Sequence, residues 1–522
     1  MSNSGLPVPG PGIARLREDL LAASFTPDGV LDLLGAPAYA ALARGETVPA
    51  ERATRGDEGP LATLTRLFLL GQATPAGRVT GALPALTAEQ ALADGWLTPA
   101  DPDGAARLRA TVDIRPYAGD AGENWWIVSD QGRATAGGAG AHGQGRDVVL
   151  GAGGASTTLA QLTVRAPVAR ALDLGTGSGV QALHLTRHAE QVTATDLNPR
   201  ALRVAALTLA LSLGTGAGRG PQEAPGGVAL RRGSLFEPVA DDPPFDLIVS
   251  NPPFVISPAA PGSGLTYRDG GLPGDALCRT LVSSAGERLA PGGYCQLLAN
   301  WEQTADQDWR ERLASWVPPG CDAWIVRRQE QDVNEYAELW LRDAGAHRGD
   351  PAEYRAAYDA WLDEFASRSV RSVGFGWITL RRSGAADPSV LVEEWPHSVE
   401  QPLGAAVPAH FARRDFLRAH DDRALLTARY ALAEGVTQEQ LGPPGAEDPE
   451  HVVLRQRHGM MRATAMDTVS AGFAGSCDGS LAAGALLDAI AQLVDEERDT
   501  VRAAAPGWLR PLVEQGFLLP VD

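Results

Sequence analysis

The sequence predicts an α/β protein, with a mostly parallel sheet at its centre and mainly helical regions at both ends. Three observations predict this. Strand-forming and helix-forming runs alternate from about residue 168 to 382, the pattern of a parallel sheet covered on both faces. The first of those strands runs into DLGTGSG at residues 173–179 and then directly into a helix. That is how such sheets bring a ligand to a helix N-terminus. Toward each end, apolar residues recur at helical spacing and the helices close on glycine.

The bulk numbers set limits. With 522 residues the chain is too long for one core, and two to four domains are expected. A content of 44% hydrophobic and 21% charged residues is that of an ordinary globular protein. A net charge of -19 argues against a chain-wide grip on nucleic acid, though it leaves room for a local basic groove. The first dozen residues lack the layout of a signal peptide, and no apolar run is long enough to span a bilayer. Cys278, Cys295, Cys321 and Cys477 are scattered, with no CxxC pair, so neither a zinc site nor a disulfide framework is expected and a cytoplasmic setting fits.

In chain order, residues 1–109 read as a helical domain that ends ALADGWLTPAD, and the chain closes PLVEQGFLLPVD. Both endings run helix, Gly, aromatic, Leu, any residue, Pro. Glycine stops the helix in a left-handed turn and the aromatic-Leu pair starts a strand. The shared ending suggests one winged-helix module at each end. Two unrelated small helical domains are the alternative. Residues 110–165 form a small β-rich segment: 110–117 and 125–129 are strand-like, as is Val148-Val149-Leu150. Between them the glycines of residues 131–146 read as a flexible surface loop. Residues 166–386 carry the central sheet, with strands expected at 171–174, 192–195, 228–231, 246–250, 294–299, 323–326 and 376–380. Residues 387–522 are expected to be mainly helical, with the basic stretch 454–462 on a solvated helix face.

Ligand chemistry gathers at the tips of these strands. Gly175, Gly177 and Gly179 let a ligand approach backbone, while Val180 replaces the third glycine of the dinucleotide fingerprint, which disfavours a pyrophosphate cofactor. Asp173 closes the strand before that turn. Asp196, with Leu197 beside it, ends the second strand, where a carboxylate suits ribose hydroxyls; it can also cap the helix starting at Pro199. Ser234, Leu235 and Phe236 follow the third strand, where Phe236 or Leu235 is expected to border an adenine ring.

One signature occurs twice, as Asp242-Pro243-Pro244-Phe245 and as Asn251-Pro252-Pro253-Phe254. Ligands bind at the carboxyl ends of strands in such sheets. The second copy sits on a strand tip, whereas the first lies in the loop leading into that strand and reads as a coincidence of turn-forming prolines. At the tip, the Asn251 oxygen and the Pro252 carbonyl can each accept one N–H of a planar amine, and Phe254 offers it a flat surface. Held so, a delocalised nitrogen can present its lone pair to an incoming methyl group.

With these residues in place, the stretch from about residue 171 to 300 resembles class I S-adenosylmethionine-dependent methyltransferases with an Asn-Pro-Pro-aromatic motif. It is most similar to the HemK-type glutamine N5-methyltransferases of release factors, and also to the ribosomal-RNA N-methyltransferases that share the motif. The matches are residues 173–179, Asp196, 233–236, 245–254 and Asp269-Gly270-Gly271. The resemblance implies a Rossmann-like sheet and S-adenosyl-L-methionine as cofactor. It places Asp173, Gly175, Gly177, Gly179, Asp196, Leu197, Ser234, Leu235, Phe236 and Asn251 around that cofactor, with Asn251, Pro252 and Phe254 at the reacting nitrogen and no metal. The chain departs from the family at Ser234, often Asp there. It has GAGGASTTLA at 151–160 in place of a Pro-Arg-Pro-Glu-Thr-Glu-like stretch. Phe254 replaces Tyr, and a large C-terminal domain is added. The implied partner is a macromolecule, protein or RNA. A SAM-binding regulator that contacts DNA is the non-enzyme alternative.

Overall fold

The computed structural model describes residues 6–7, 10–101, 104–131, 147–214, 223–224, 226–258, 272–444 and 451–521. The Gly-rich loop at 132–146 and the Asp269-Gly270-Gly271 match lie outside the described residues. Contacts divide the chain into two compact units: Met1–Ala160 with Ala166–Glu394, and Gln161–Arg165 with Trp395–Asp522.

The first unit begins with helices between Gly12 and Leu64, followed by β1 (Thr74–Pro75), helices Ala76–Ala82 and Ala88–Ala93, β2 (Leu97–Asp101) and β3 (Gly104–Ala110). A hairpin follows, β4 (Asp113–Ala118) and β5 (Asn124–Ser129). Its backbone docks on the helix Pro199–Leu213 through hydroxyls. The Trp126 N–H donates to Ser212 Oγ at 2.9 Å and the Val128 N–H to Thr208 Oγ1 at 3.0 Å. The Trp126 indole also donates to the Phe25 carbonyl at 2.8 Å, tying the hairpin to the N-terminal helices. Val148-Val149-Leu150 is not a strand. It has the residues of one, but among the described residues it pairs with no strand; the Asp130 N–H donates to the Val149 carbonyl at 3.0 Å.

The central sheet contains β6 (Val168–Leu174), β7 (Ala189–Asp196), β8 (Glu223–Ala224), β9 (Val228–Arg232), β10 (Phe245–Ser250), β11 (Leu289–Thr304), β12 (Cys321–Asp332), β13 (Val370–Arg382) and β14 (Val390–Glu394). Their order is β14-β12-β13-β11-β10-β6-β7-β9-β8. Pairing is parallel except at β13, antiparallel to both neighbours, and at β8 on the far edge. This is the class I methyltransferase sheet, seven strands with the last inserted antiparallel, extended by β8 and β14. The chain leaves β6 outward through β7 and β9, then returns to β10 on the opposite side. The crevice between β6 and β10 is therefore the switch point where such sheets bind ligands.

In the second unit, β15 (Arg429–Leu432) precedes a three-stranded meander of β16 (Val436–Leu441), β17 (His451–Gln456) and β18 (Ala463–Met466). The basic stretch 454–462 thus lies on β17 and the following turn rather than on a helix, and Arg455 pairs with Glu439 across the ladder at 2.6 Å. Cross-strand pairing settles what local composition left to a helix. Then come β19 (Asp478–Ala482), helices Ala483–Leu493 and Arg498–Gln515, and β20 (Leu518–Val521). The unit is less helical than the sequence predicts, since it carries two small sheets.

The two units share one arrangement, in different chain order. In the first, β1, two helices, β2 and β3 form a sheet ordered β1-β3-β2, the element order of a winged helix. In the second, β19, two helices and β20 take the matching places, but the middle strand is β15, from upstream. The registers coincide. Leu97 faces Ala110 and Pro99 faces Leu108, as Leu518 faces Leu432 and Pro520 faces Tyr430. On the other side Pro75 faces Arg107, as Ala482 faces Arg429. Both second helices end at a left-handed glycine, Gly95 (φ +82°) and Gly516 (φ +80°). The next residue, Trp96 or Phe517, is buried and donates its N–H five residues back, to Ala91 or Leu512.

Candidate active site

The site grows from one ladder. β6 and β10 run side by side with Leu174 opposite Ser250, and Ser250 Oγ donates to the Leu174 carbonyl at 2.7 Å. The next residue on each strand is Gly175 and Asn251, so the glycine turn and the asparagine leave the sheet together. Gly175, Gly177 and Gly179 all have positive φ, +79°, +54° and +84°, which favours glycine at each. Their roles differ. A Cβ at Gly175 or Gly177 would project into open space, whereas one at Gly179 would come within 3.2 Å of the Ala205 Cα. The first two keep room at the strand tips, and the third lets two helices close.

Beside the turn lies a cavity of about 240 Å³, walled by Gly175, Gly177, Asp196, Asn251 and Pro253, with Ser156 and Gln181 also in its lining. Asp196 accepts the Gly177 N–H at 2.9 Å and the Asn198 N–H at 2.8 Å. Burial holds its carboxyl above the usual range, and these N–H groups oppose that shift. Asp196 does not cap the following helix; Asn198 does, accepting the Arg200 N–H at 2.9 Å. Asp173 sits behind the turn, fully buried, and accepts from the Thr176 hydroxyl at 2.6 Å and the Ala182 N–H at 3.0 Å. Burial pushes its carboxyl up to about 7. It shapes the turn rather than lining the cavity.

Asn251 is the informative side chain. Its Nδ2 donates to Ser156 Oγ at 3.4 Å, while its Oδ1 is buried and has no partner among the described residues. A buried acceptor left alone costs about 1–3 kcal/mol. An unpaired acceptor on a cavity wall fits a ligand that brings the missing N–H. Pro252 is buried beside it.

Other residues named from the sequence do not reach this cavity. Leu197 is 57% exposed, and Phe236 belongs to the core beneath the sheet. The Ser234 N–H donates to the Glu237 carboxylate at 3.3 Å, and Leu235 has φ +49°. Phe254 packs half-buried against the core cluster of Leu174, Phe236 and Trp301. In the first motif copy, Asp242 accepts from Arg231 at 2.8 Å and Arg170 at 3.2 Å, and Phe245 is buried core, which is a structural role. Sequence reasoning missed Ser156, Gln181 and the strap Val148–Leu150, which also lines the cavity. Asp130 braces that strap by accepting the Val149 N–H at 2.8 Å, and it also pairs with Arg200. The signal for Ser156 was its place in residues 151–160, the stretch where the sequence departs from the family it resembles. Among the described residues no group of three His, Cys, Asp or Glu could hold a metal, and all four cysteines are free and buried.

Residues 153–315 match the methyltransferase small domain, and two families described only as domains of unknown function match 22–111 and 408–520. The chain is 31% identical over 160 residues to a ribosomal protein uL3 glutamine methyltransferase of Bradyrhizobium diazoefficiens, covering 29% of this chain and 47% of that one. It is 37% identical over 145 residues to a release factor glutamine methyltransferase of Geobacter sulfurreducens, covering 25% and 45%. The chain thus spans about half the length of these curated relatives. Among solved structures, an rRNA methylase from Streptococcus thermophilus is 14% identical with a TM-score of 0.24, covering 44% of this chain and 93% of that one.

Proposed function

We propose that this chain, whose residues 153–315 carry a methyltransferase small domain on a class I methyltransferase sheet, transfers a methyl group from S-adenosyl-L-methionine to the side-chain amide of a protein glutamine. The observation that carries this reading is the unpartnered Asn251 Oδ1, on the same wall as Gly175, Gly177 and Asp196.

The residues present fit the cofactor. Open space over Gly175 and Gly177 admits its methionine end, and Asp196 offers carboxylate oxygens to ribose hydroxyls. When bound, S-adenosyl-L-methionine supplies an electrophilic methyl on a sulfonium. The chain supplies orientation. Asn251 Oδ1 accepts one N–H of the target amide, and the Pro252 carbonyl is assigned the second. Two acceptors fix the nitrogen, and proline, having no N–H, adds no competing donor. A fixed amide nitrogen needs no strong base, because its proton can leave after transfer. The binding geometry therefore does most of the chemical work.

The glutamine methyltransferase relatives support a protein amide, and so does the net charge of -19. A ribosomal-RNA base is the second reading, favoured by the winged-helix element order in the first unit and its permuted counterpart in the second. The arginines weigh against it. The helix Ala88–Ala93 carries none, and on the helix Arg498–Gln515, Arg502 is paired with Asp488 and Arg510 with Asp422. The test is to incubate the protein with radiolabelled cofactor and extract from a strain lacking it. Label in a protein band, resistant to nuclease, supports the glutamine reading. Label that nuclease removes would replace it with the RNA reading, and absence of transfer would sink both.

A further inference from the structure

We infer that Tyr336 is a positioning residue for the reaction: its hydroxyl anchors the loop that carries Asn251 and Pro252 past the strand tip. The inference rests on the reading above, and it names the part of this chain that aims the target-side residues.

The loop begins where the ladder stops. β10 pairs with β6 and β11 as far as Ser250, and residues 251–258 take no regular form. Pro252 and Pro253 have no N–H to give, and their rings fix φ. Among the described residues, 252–256 make one hydrogen bond. It runs from the N–H of Ile256, a residue 1% exposed, to the Tyr336 hydroxyl oxygen at 3.0 Å. A backbone N–H can only donate, so the tyrosine oxygen accepts, wherever its own proton points. The Asn300 side chain lies 3.1 Å from the same oxygen.

Tyr336 comes from an insert in the sheet. β11 and β12 are both antiparallel to β13, and β10 is parallel to β11. β12 therefore runs with β10 and ends at Asp332 on the edge where Asn251 emerges. There, before β13, the chain folds two helices, Val333–Asp343 and Pro351–Ser367. Tyr336, near the start of the first, is fully buried. Its ring lies between 5.6 and 6.1 Å from those of Trp340, Trp361, Phe365 and Phe375. Val255 and Ile256 join this cluster, while Phe254 packs against the other one, with Phe236. A ring so enclosed has little room to move, and its hydroxyl is a fixed point. The loop is thus held at one end by the Ser250 bond to Leu174 and at the other by Tyr336, with two stiff prolines between. Releasing the far end lets Asn251 and Pro252 drift, and a misplacement of about 1 Å at a reacting centre lowers the rate by about a hundredfold.

The test compares Tyr336→Phe with Phe365→Leu in the full chain, each assayed well below its melting temperature. The first variant keeps the ring and removes the acceptor. The second loosens the same cluster and keeps the hydroxyl. Three things are measured: methyl transfer from radiolabelled cofactor into serial dilutions of extract from a strain lacking the protein, cofactor Kd by calorimetry, and hydrogen exchange by mass spectrometry in peptides spanning 251–256. In Tyr336→Phe the maximal rate is expected to fall about ten- to a hundredfold. The half-saturating extract concentration and cofactor Kd should stay unchanged, and the loop should exchange faster. Phe365→Leu should keep most of its rate. A maximal rate or a loop exchange that stays at wild-type values in Tyr336→Phe would overturn the inference. So would an equal loss of rate in both variants, or a loss matched by weaker cofactor binding. If the wild type transfers no methyl yet loop exchange rises in Tyr336→Phe alone, the proposed activity falls and Tyr336 remains the anchor of the loop.

Discussion

Leu174 and Ser250 face each other on adjacent parallel strands, and the serine hydroxyl closes the pair on the leucine carbonyl at 2.7 Å. That bond sets where the glycine turn and the asparagine emerge from the sheet. The chemistry proposed here depends on their staying side by side.

Replacing Asn251 by Ala should separate catalysis from binding. The cofactor wall at Gly175, Gly177 and Asp196 is untouched, so calorimetry should give a cofactor Kd within about twofold of wild type. Turnover should fall by at least about a hundredfold, the usual loss when a group that orients or stabilises the reacting centre is removed. Retained turnover would remove Asn251 from the reaction.

Asp196→Asn is the matched binding variant. An amide oxygen can still accept the Gly177 or Asn198 N–H, but the charge offered to ribose hydroxyls is gone. A hydrogen bond to a charged group contributes about 1.5–3 kcal/mol. Cofactor Kd should therefore rise by about ten- to a hundredfold, with a modest fall in melting temperature because one of the two N–H groups now meets an NH2. An unaltered Kd would mean that Asp196 holds the turn and nothing else.

Gly175→Ala and Gly179→Ala should fail in different ways. Both force a side chain to positive φ, at a cost of about 1 kcal/mol. At Gly175 the added methyl enters open space on the cavity wall, so cofactor affinity should drop while most stability survives. At Gly179 it meets the backbone of Ala205 at 3.2 Å. Stability should then fall further, as read by denaturant midpoints. Similar profiles for the two variants would contradict the division of roles.

The pH dependence of stability should be visible at Asp173. Burial lifts its carboxyl from 3.8 to about 7 in the folded chain. Between those values the folded state binds more protons than the unfolded one. Stability contributed by the protonated acid is present at low pH and is lost as pH rises toward 7. Asp113, lifted by burial to about 6, acts in the same direction. Asp173→Asn cannot ionise, so the fall between pH 5 and 7.5 should shrink by up to a few kcal/mol relative to wild type. Denaturant midpoints across that range give the comparison, and parallel curves would refute it.

Seven of the nine strands of the central sheet were legible from β-forming runs bounded by turn residues, the edge strands β8 and β14 were not, and the strand-tip rule placed Gly175 and Asn251 together. Aromatic side chains were harder to place. Phe236 and Phe254 follow strand tips, but whether a ring turns to ligand or to core depends on packing that spacing does not encode; Phe236 belongs to the core cluster and Phe254 packs against it. Val148–Leu150 has β-branched residues and no partner strand, so composition alone misplaced it. Arg429–Leu432, only four residues long, becomes the middle of a sheet through partners 47 or more positions away. No local pattern reports that.

The permuted middle strand has a mechanical consequence. In the first unit, β2 and β3 are joined by a hairpin, so a cut elsewhere leaves the centre of that sheet covalently tied to one neighbour. In the second, β15 reaches β19 only through residues 433–477, and β20 lies further on. One protease nick in that intervening stretch would put the central strand and both its flanks on separate fragments. They would then be held by non-covalent contacts alone, and a complementation experiment with the two pieces becomes a natural way to weigh those contacts.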